Sequence, residues 1–78
     1  MVKLTRKFAG EYEYQMYGHT FVISRNDERD STWYGEWIIK WGTYQQHYGD
    51  PIPTLARCRL ALKEMEENPV EYGLVKHD

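Results

Sequence analysis

The residues able to do chemistry are few in this chain, and their spacing does not gather them. A nucleophile needs a base within hydrogen-bond reach and a group behind it to orient that base. Cys58 is the single cysteine. It stands among Leu55, Ala61 and Leu62 at helical spacing, the setting of a buried, inert thiol acting as a small hydrophobe. One cysteine makes no intramolecular disulfide and no cysteine-based zinc site. His19, His47 and His77 fall in a tight turn, on a strand and in the C-terminal tail, with no local spacing to one another or to a carboxylate pair. Glu11 and Glu13 are two apart on one strand face, which reads as a solvated surface before it reads as paired acid and base. No glycine-rich phosphate loop or dinucleotide fingerprint is present. These observations argue against an enzyme, and no cofactor, metal or catalytic residue is expected.

The elements that would position any site follow from periodicity. Glu11 to Tyr17 alternates, with Tyr12, Tyr14 and Met16 on one side and the glutamates, Gln15 and Tyr17 on the other. Period two marks a half-buried strand. Gly18-His19 suits a type II′ turn into a second strand, Thr20 to Arg25, and would set Met16 opposite Phe21. Asn26 to Thr32 is wholly polar and reads as a loop. Trp33 to Trp41 reads as a third strand, with Trp33, Trp37, Ile39 and Trp41 on one face and Tyr34, Glu36, Ile38 and Lys40 on the other. Gly42-Thr43 would turn it into a short fourth strand, Tyr44 to Tyr48, with Trp41 opposite Tyr44. Pro51 and Pro53 end the sheet, because proline cannot continue a ladder.

Thr54 is the expected N-cap of a helix over Leu55 to Glu67, stopped by Asn68-Pro69. Arg57 stands where a capping box would carry glutamate. Leu55, Cys58, Ala61, Leu62 and Met65 make one apolar stripe. Leu60 lies off it; either the tail, through Val70, Tyr72 or Leu74, or another chain covers it, and the tail is the favoured expectation. The tail, residues 68–78, either adds an extended segment at a sheet edge or frays.

The predicted fold is therefore α+β: an antiparallel sheet of three to four strands in a meander, with one C-terminal helix packed on one face. All 78 residues form one domain, the sheet over about 8–48. The expected core is Tyr14, Ile23, Trp37, Ile39, Leu55, Cys58 and Leu62, chosen by strand alternation and helix period independently. Seven tyrosines and three tryptophans supply much of the buried area.

Charge narrows the partners. The net charge is −2 and the isoelectric point about 5.9, which gives no general pull toward nucleic acid or an anionic membrane. No apolar run approaches a membrane span, and Lys3, Arg6 and Lys7 precede no apolar stretch, so neither a membrane segment nor a secretory signal is expected. Four apolar or aromatic residues fall on the sheet face away from the helix: Tyr17, Val22, Tyr34 and Ile38. An exposed patch of this kind suits a protein partner, and tyrosine is enriched in such contacts. The alternative is nucleic acid, held by the helix and a basic N-terminal arm through Lys3, Arg6, Lys7, Arg57, Arg59 and Lys63.

Two resemblances bear on this choice. The layout of Gly35 to Ile39 as a central strand, then Tyr48 to Leu62 as turn and helix, resembles a class of plant DNA-binding domains and the arm-binding domains of phage integrases. Those families read the major groove with the helix-free sheet face. Here that face would carry three glutamates against one lysine, and a duplex would be repelled. Ala9 to Tyr12, Thr20 to Arg25, Gly35 to Trp37 and Asp50 to Ala56 look like segments of the small accessory proteins of actinobacterial phages. That resemblance implies a protein made in the cytoplasm of a bacterial host cell, acting by binding a host or phage protein, with no catalytic residue to carry over. The sequence leaves a homodimer open and does not identify the partner.

Overall fold

A computed structural model describes residues 3–42, 46–47 and 51–75, with the backbone alone at 46–47. Five strands and a helix follow in chain order: β1 (Thr5–Phe8), β2 (Glu11–Met16), β3 (His19–Arg25), β4 (Trp37–Trp41), β5 (Gln46–His47) and α1 (Leu55–Glu67). Strands β1 to β4 form an antiparallel meander, to which β5 adds two residues, and the single helix makes the fold α+β.

The helix lies on the face of the sheet carrying Tyr12, Tyr14, Met16, Phe21, Ile23, Trp37, Ile39 and Trp41. Phe21, Ile23, Ile39, Cys58, Leu62 and Met65 are fully buried between the layers. Each large apolar side chain so buried stabilises the fold by about 1.5–3 kcal/mol. Phe21 stacks on Trp41 with ring centres 5.3 Å apart, and Tyr12 tilts against Trp37 at 5.9 Å. The expected core residues all belong to this cluster, with Tyr14 and Leu55 at its margin.

The registers differ from those expected, by two residues in each case. Tyr14 faces Phe21 and Met16 faces His19, so the β2–β3 turn is Tyr17-Gly18. Both turn residues have positive φ, 52° and 76°, which is the type I′ pattern in place of type II′. Glycine supplies the second position at no steric cost, and the twist of this turn matches that of the strands. Trp41 likewise pairs with Gln46, and Tyr44 and Tyr48, expected in that strand, lie outside the described residues.

Two elements were placed wrongly. The N-terminal residues expected as a basic arm include β1, an edge strand paired to β2 with a bulge between Arg6 and Phe8. All four of its side chains are exposed, so it carries no period-two apolar signal. Strand β4 begins at Trp37, not Trp33; residues 32–35 form a turn, closed by Gly35 at φ 83°.

The helix matches expectation. Thr54 Oγ1 accepts the Arg57 N–H at 3.2 Å, and the Asn68 side chain donates to the Glu64 carbonyl at 2.9 Å. Before it, Ile52 exchanges both backbone hydrogen bonds with Trp37, at 2.7 and 2.8 Å, which fixes where the chain rises into α1. Among the described residues the tail neither extends a strand nor covers Leu60. Through Val75 it folds into turns, with Leu74 buried and its carbonyl 3.1 Å from His19 Nε2. Leu60 remains 66% exposed.

Candidate interaction surface

The chemistry-bearing side chains stay apart. Cys58 is fully buried, and burial pushes its thiol up to about 11, an effect the neighbouring Arg59 charge offsets only in part. A thiol so protonated is a poor nucleophile at neutral pH. His19 faces the tail carbonyl at the hairpin tip, and His77 lies outside the described residues. Among the described residues no three His, Cys, Asp or Glu side chains converge as a metal-binding group. Among them, too, no helix is long and apolar enough to cross a membrane.

The four residues expected on one open sheet face divide into three places. Val22 and Ile38 are there, half-buried on adjacent strands; Val22 faces Lys40 and Ile38 faces Ser24, so the two are diagonal neighbours. Tyr17 is not. It sits in the hairpin turn and its hydroxyl donates to the Glu66 carbonyl at the end of α1, at 2.7 Å. Tyr14 reaches the same residue, donating to Glu66 Oε2 at 2.9 Å; burial, that hydrogen bond and the Glu66 charge all raise its hydroxyl above the ordinary value. Tyr34 is not on the sheet either, because β4 starts three residues later.

The residues proposed for nucleic acid are also divided. Lys7 pairs with Glu13 at 3.9 Å, and Lys3 shares a shallow hollow with Thr5, Glu13 and Gln15. Arg6 stands opposite Tyr12 on the edge strand. Arg57, Arg59 and Lys63 are exposed on the helix layer, where Glu64, Glu66 and Glu67 balance them. Among the described residues no single basic surface forms.

A different cluster emerges at the end of the sheet where β1 turns into β2 and β3 leaves for β4. The connection from Asn26 to Glu36, expected to be a polar loop up to Thr32, is a built structure. Five backbone hydrogen bonds hold it, among them Asn26 N–H to Glu36 at 2.8 Å and Gly35 N–H to Asn26 at 2.8 Å. Side chains add more: Asn26 Oδ1 accepts the Glu28 N–H, Asn26 Nδ2 donates to Ser31 Oγ, and Ser31 Oγ accepts the Trp33 N–H. Such Asx- and Ser-type turns fix a loop without a core of its own.

This loop turns two aromatic side chains outward, Trp33 at 49% and Tyr34 at 53% exposure. Phe8, 61% exposed, ends β1 at the same end of the sheet. The β1–β2 turn docks on the base of the loop: Gly10 accepts the Arg25 N–H at 2.8 Å, and a side chain on Gly10 would meet Asp27 and Arg25. Arg25 is itself clamped, with Nε donating to Asp27 at 2.8 Å and its guanidinium 5.9 Å from the Trp37 ring centre. Sequence reading missed Phe8 and placed Trp33 on a strand, on the face shared with Trp37, Ile39 and Trp41. The available signal was a Trp-Tyr pair directly after an Asx-rich segment and directly before a glycine, which is a display loop rather than a strand start.

A second exposed apolar feature is the shallow groove of about 420 Å³ between α1 and residues 51–53, lined by Pro51, Ile52, Pro53, Leu60 and Ala61, with Arg57 and Glu64 at its margins.

Comparison with protein-family models, with curated proteins and with solved structures gave no match.

Proposed function

We propose that the chain is a small non-enzymatic binding protein that works by protein–protein contact, and that the contact is made by the end of the sheet bearing Trp33, Tyr34 and Phe8. The observation that carries this reading is the pairing of order with exposure. A loop held by its own hydrogen bonds presents two large aromatic rings to solvent. Tyr and Trp give much contact area for little conformational entropy, and a preformed loop has little further ordering cost on binding. Val22 and Ile38 supply a lesser apolar area on the open sheet face. Under the phage resemblance the partner is a host or phage protein of the bacterial cytoplasm. Nucleic acid is the weaker reading, since its candidate cations are split between layers and largely balanced by glutamates.

The test compares variants that keep the fold. Trp33→Ala with Tyr34→Ala should abolish capture of the specific partner from a nuclease-treated bacterial lysate, while Arg59→Glu with Lys63→Glu leaves it intact. Circular dichroism and urea midpoints confirm that both variants are folded. Capture that survives the aromatic double variant and fails in the helix variant refutes the proposal.

A further inference from the structure

Resting on that reading, we infer that the segment received by the aromatic end is cationic, a stretch of a protein partner carrying arginine or lysine. Three separate features converge on this chemistry. The first is charge. Glu11, Asp27, Glu28, Asp30 and Glu36 lie at or beside this end, against Arg25 and Arg29. Arg25 is already engaged by Asp27 and Trp37. Glu28, Asp30 and Glu36 make no ion pair among the described residues. This end is therefore more negative than the chain as a whole. The second feature is the aromatic faces. A guanidinium or ammonium over Trp or Tyr is attracted by the ring quadrupole, and arginine also stacks on the ring plane. The third is a precedent inside the molecule, for the Arg25 guanidinium lies near the Trp37 ring with a carboxylate at its Nε, the arrangement a partner's arginine would repeat outside.

An anionic partner fits badly. Phosphates or an acidic peptide would meet uncompensated carboxylates, and like-charge contact disfavours an interface. A second copy of the chain carries a net charge of −2 and is disfavoured on the same ground.

The experiment is a nuclear magnetic resonance titration of the full chain with defined probes, read at the three indole N–H signals. The probes are an acetylated Gly-Arg-Lys-Arg-Gly amide, its counterpart with glutamate at the three central positions, and a neutral counterpart with glutamine there. The cationic probe should shift the Trp33 signal saturably while Trp37 and Trp41 stay put. Raising salt from about 50 to about 500 mM should weaken it several-fold, because exposed charges are screened. Glu28→Gln with Asp30→Asn, which leaves the rings in place, should weaken it roughly fivefold. A Trp33 shift that is equal for the neutral or acidic probe, or absent for the cationic one, overturns the inference. A concentration-dependent Trp33 shift without any probe would assign the surface to a second copy and overturn it too. These results leave the wider reading standing, since that reading falls when capture survives the aromatic double variant and fails in the helix variant.

Discussion

Leu60 and Leu62 are two residues apart on one helix, and the structure assigns them opposite energetic weight. Leu62 is fully buried between helix and sheet, whereas Leu60 is 66% exposed. Truncating a buried leucine to alanine removes its transfer free energy and leaves a cavity, together about 2–5 kcal/mol. A chain of 78 residues, at roughly 0.05–0.15 kcal/mol per residue, has about 4–12 kcal/mol in all. Leu62→Ala should therefore remove a large share of the stability. Leu60→Ala should change it by less than about 0.5 kcal/mol, because little area is lost and alanine is the better helix former. The assay is urea unfolding followed by tryptophan fluorescence, since Trp37 and Trp41 are buried and report the core. With a slope near 1 kcal/mol per molar urea, the Leu62 variant's midpoint should fall by about 2 M or more. A loss above about 1.5 kcal/mol for Leu60→Ala would refute the placement and show that something covers that side chain. Repeating the measurement at tenfold higher protein would then separate the chain's own tail from a second copy.

Other outcomes follow from single features. Cys58 should react slowly with a thiol reagent in the native protein and rapidly in urea; fast native labelling would contradict its burial. Because burial raises its folded value from 9.0 to about 11, its contribution to stability is complete below pH 9 and is lost as pH rises through about 11, so the urea midpoint should fall over that window and fall less in Cys58→Ala, where only the raised Tyr14 hydroxyl still contributes to the loss. Arg57→Glu should stabilise the fold by about 0.5–1 kcal/mol, since it completes a capping box with Thr54 and replaces a cation in a first turn that holds no acidic residue; a lower melting temperature would refute this. Gly18→Ala should cost about 1 kcal/mol, because φ is 76° and the turn leaves open space but not a favourable backbone for a side chain. Equal stability of that variant would show that the turn is not type I′.

The apolar faces of the strands and the whole of α1 were legible in the residues alone. Alternation has a period of two, so it names the buried side of β2, β3 and β4 however the strands are slid by two. That same symmetry is why it could not place Tyr14 opposite Phe21, or the turn at Tyr17-Gly18. The helix is a local object, and Thr54, the apolar stripe and Asn68-Pro69 define it without reference to the rest of the chain. Other features depend on partners distant in sequence. Strand β1 exists through backbone pairing to β2, which side-chain pattern does not encode when both faces are exposed. Tyr17 left the open surface because its hydroxyl found the Glu66 carbonyl 49 residues away. Trp33 and Tyr34 point outward because Asn26 closes on Glu36 and Gly35, and the end of β1 that carries Phe8 is held at this end of the sheet by the Gly10 turn docked on Arg25. Composition and periodicity thus determined which residues are inside, whereas the long-range hydrogen bonds of the folded chain decided which aromatic rings are displayed together.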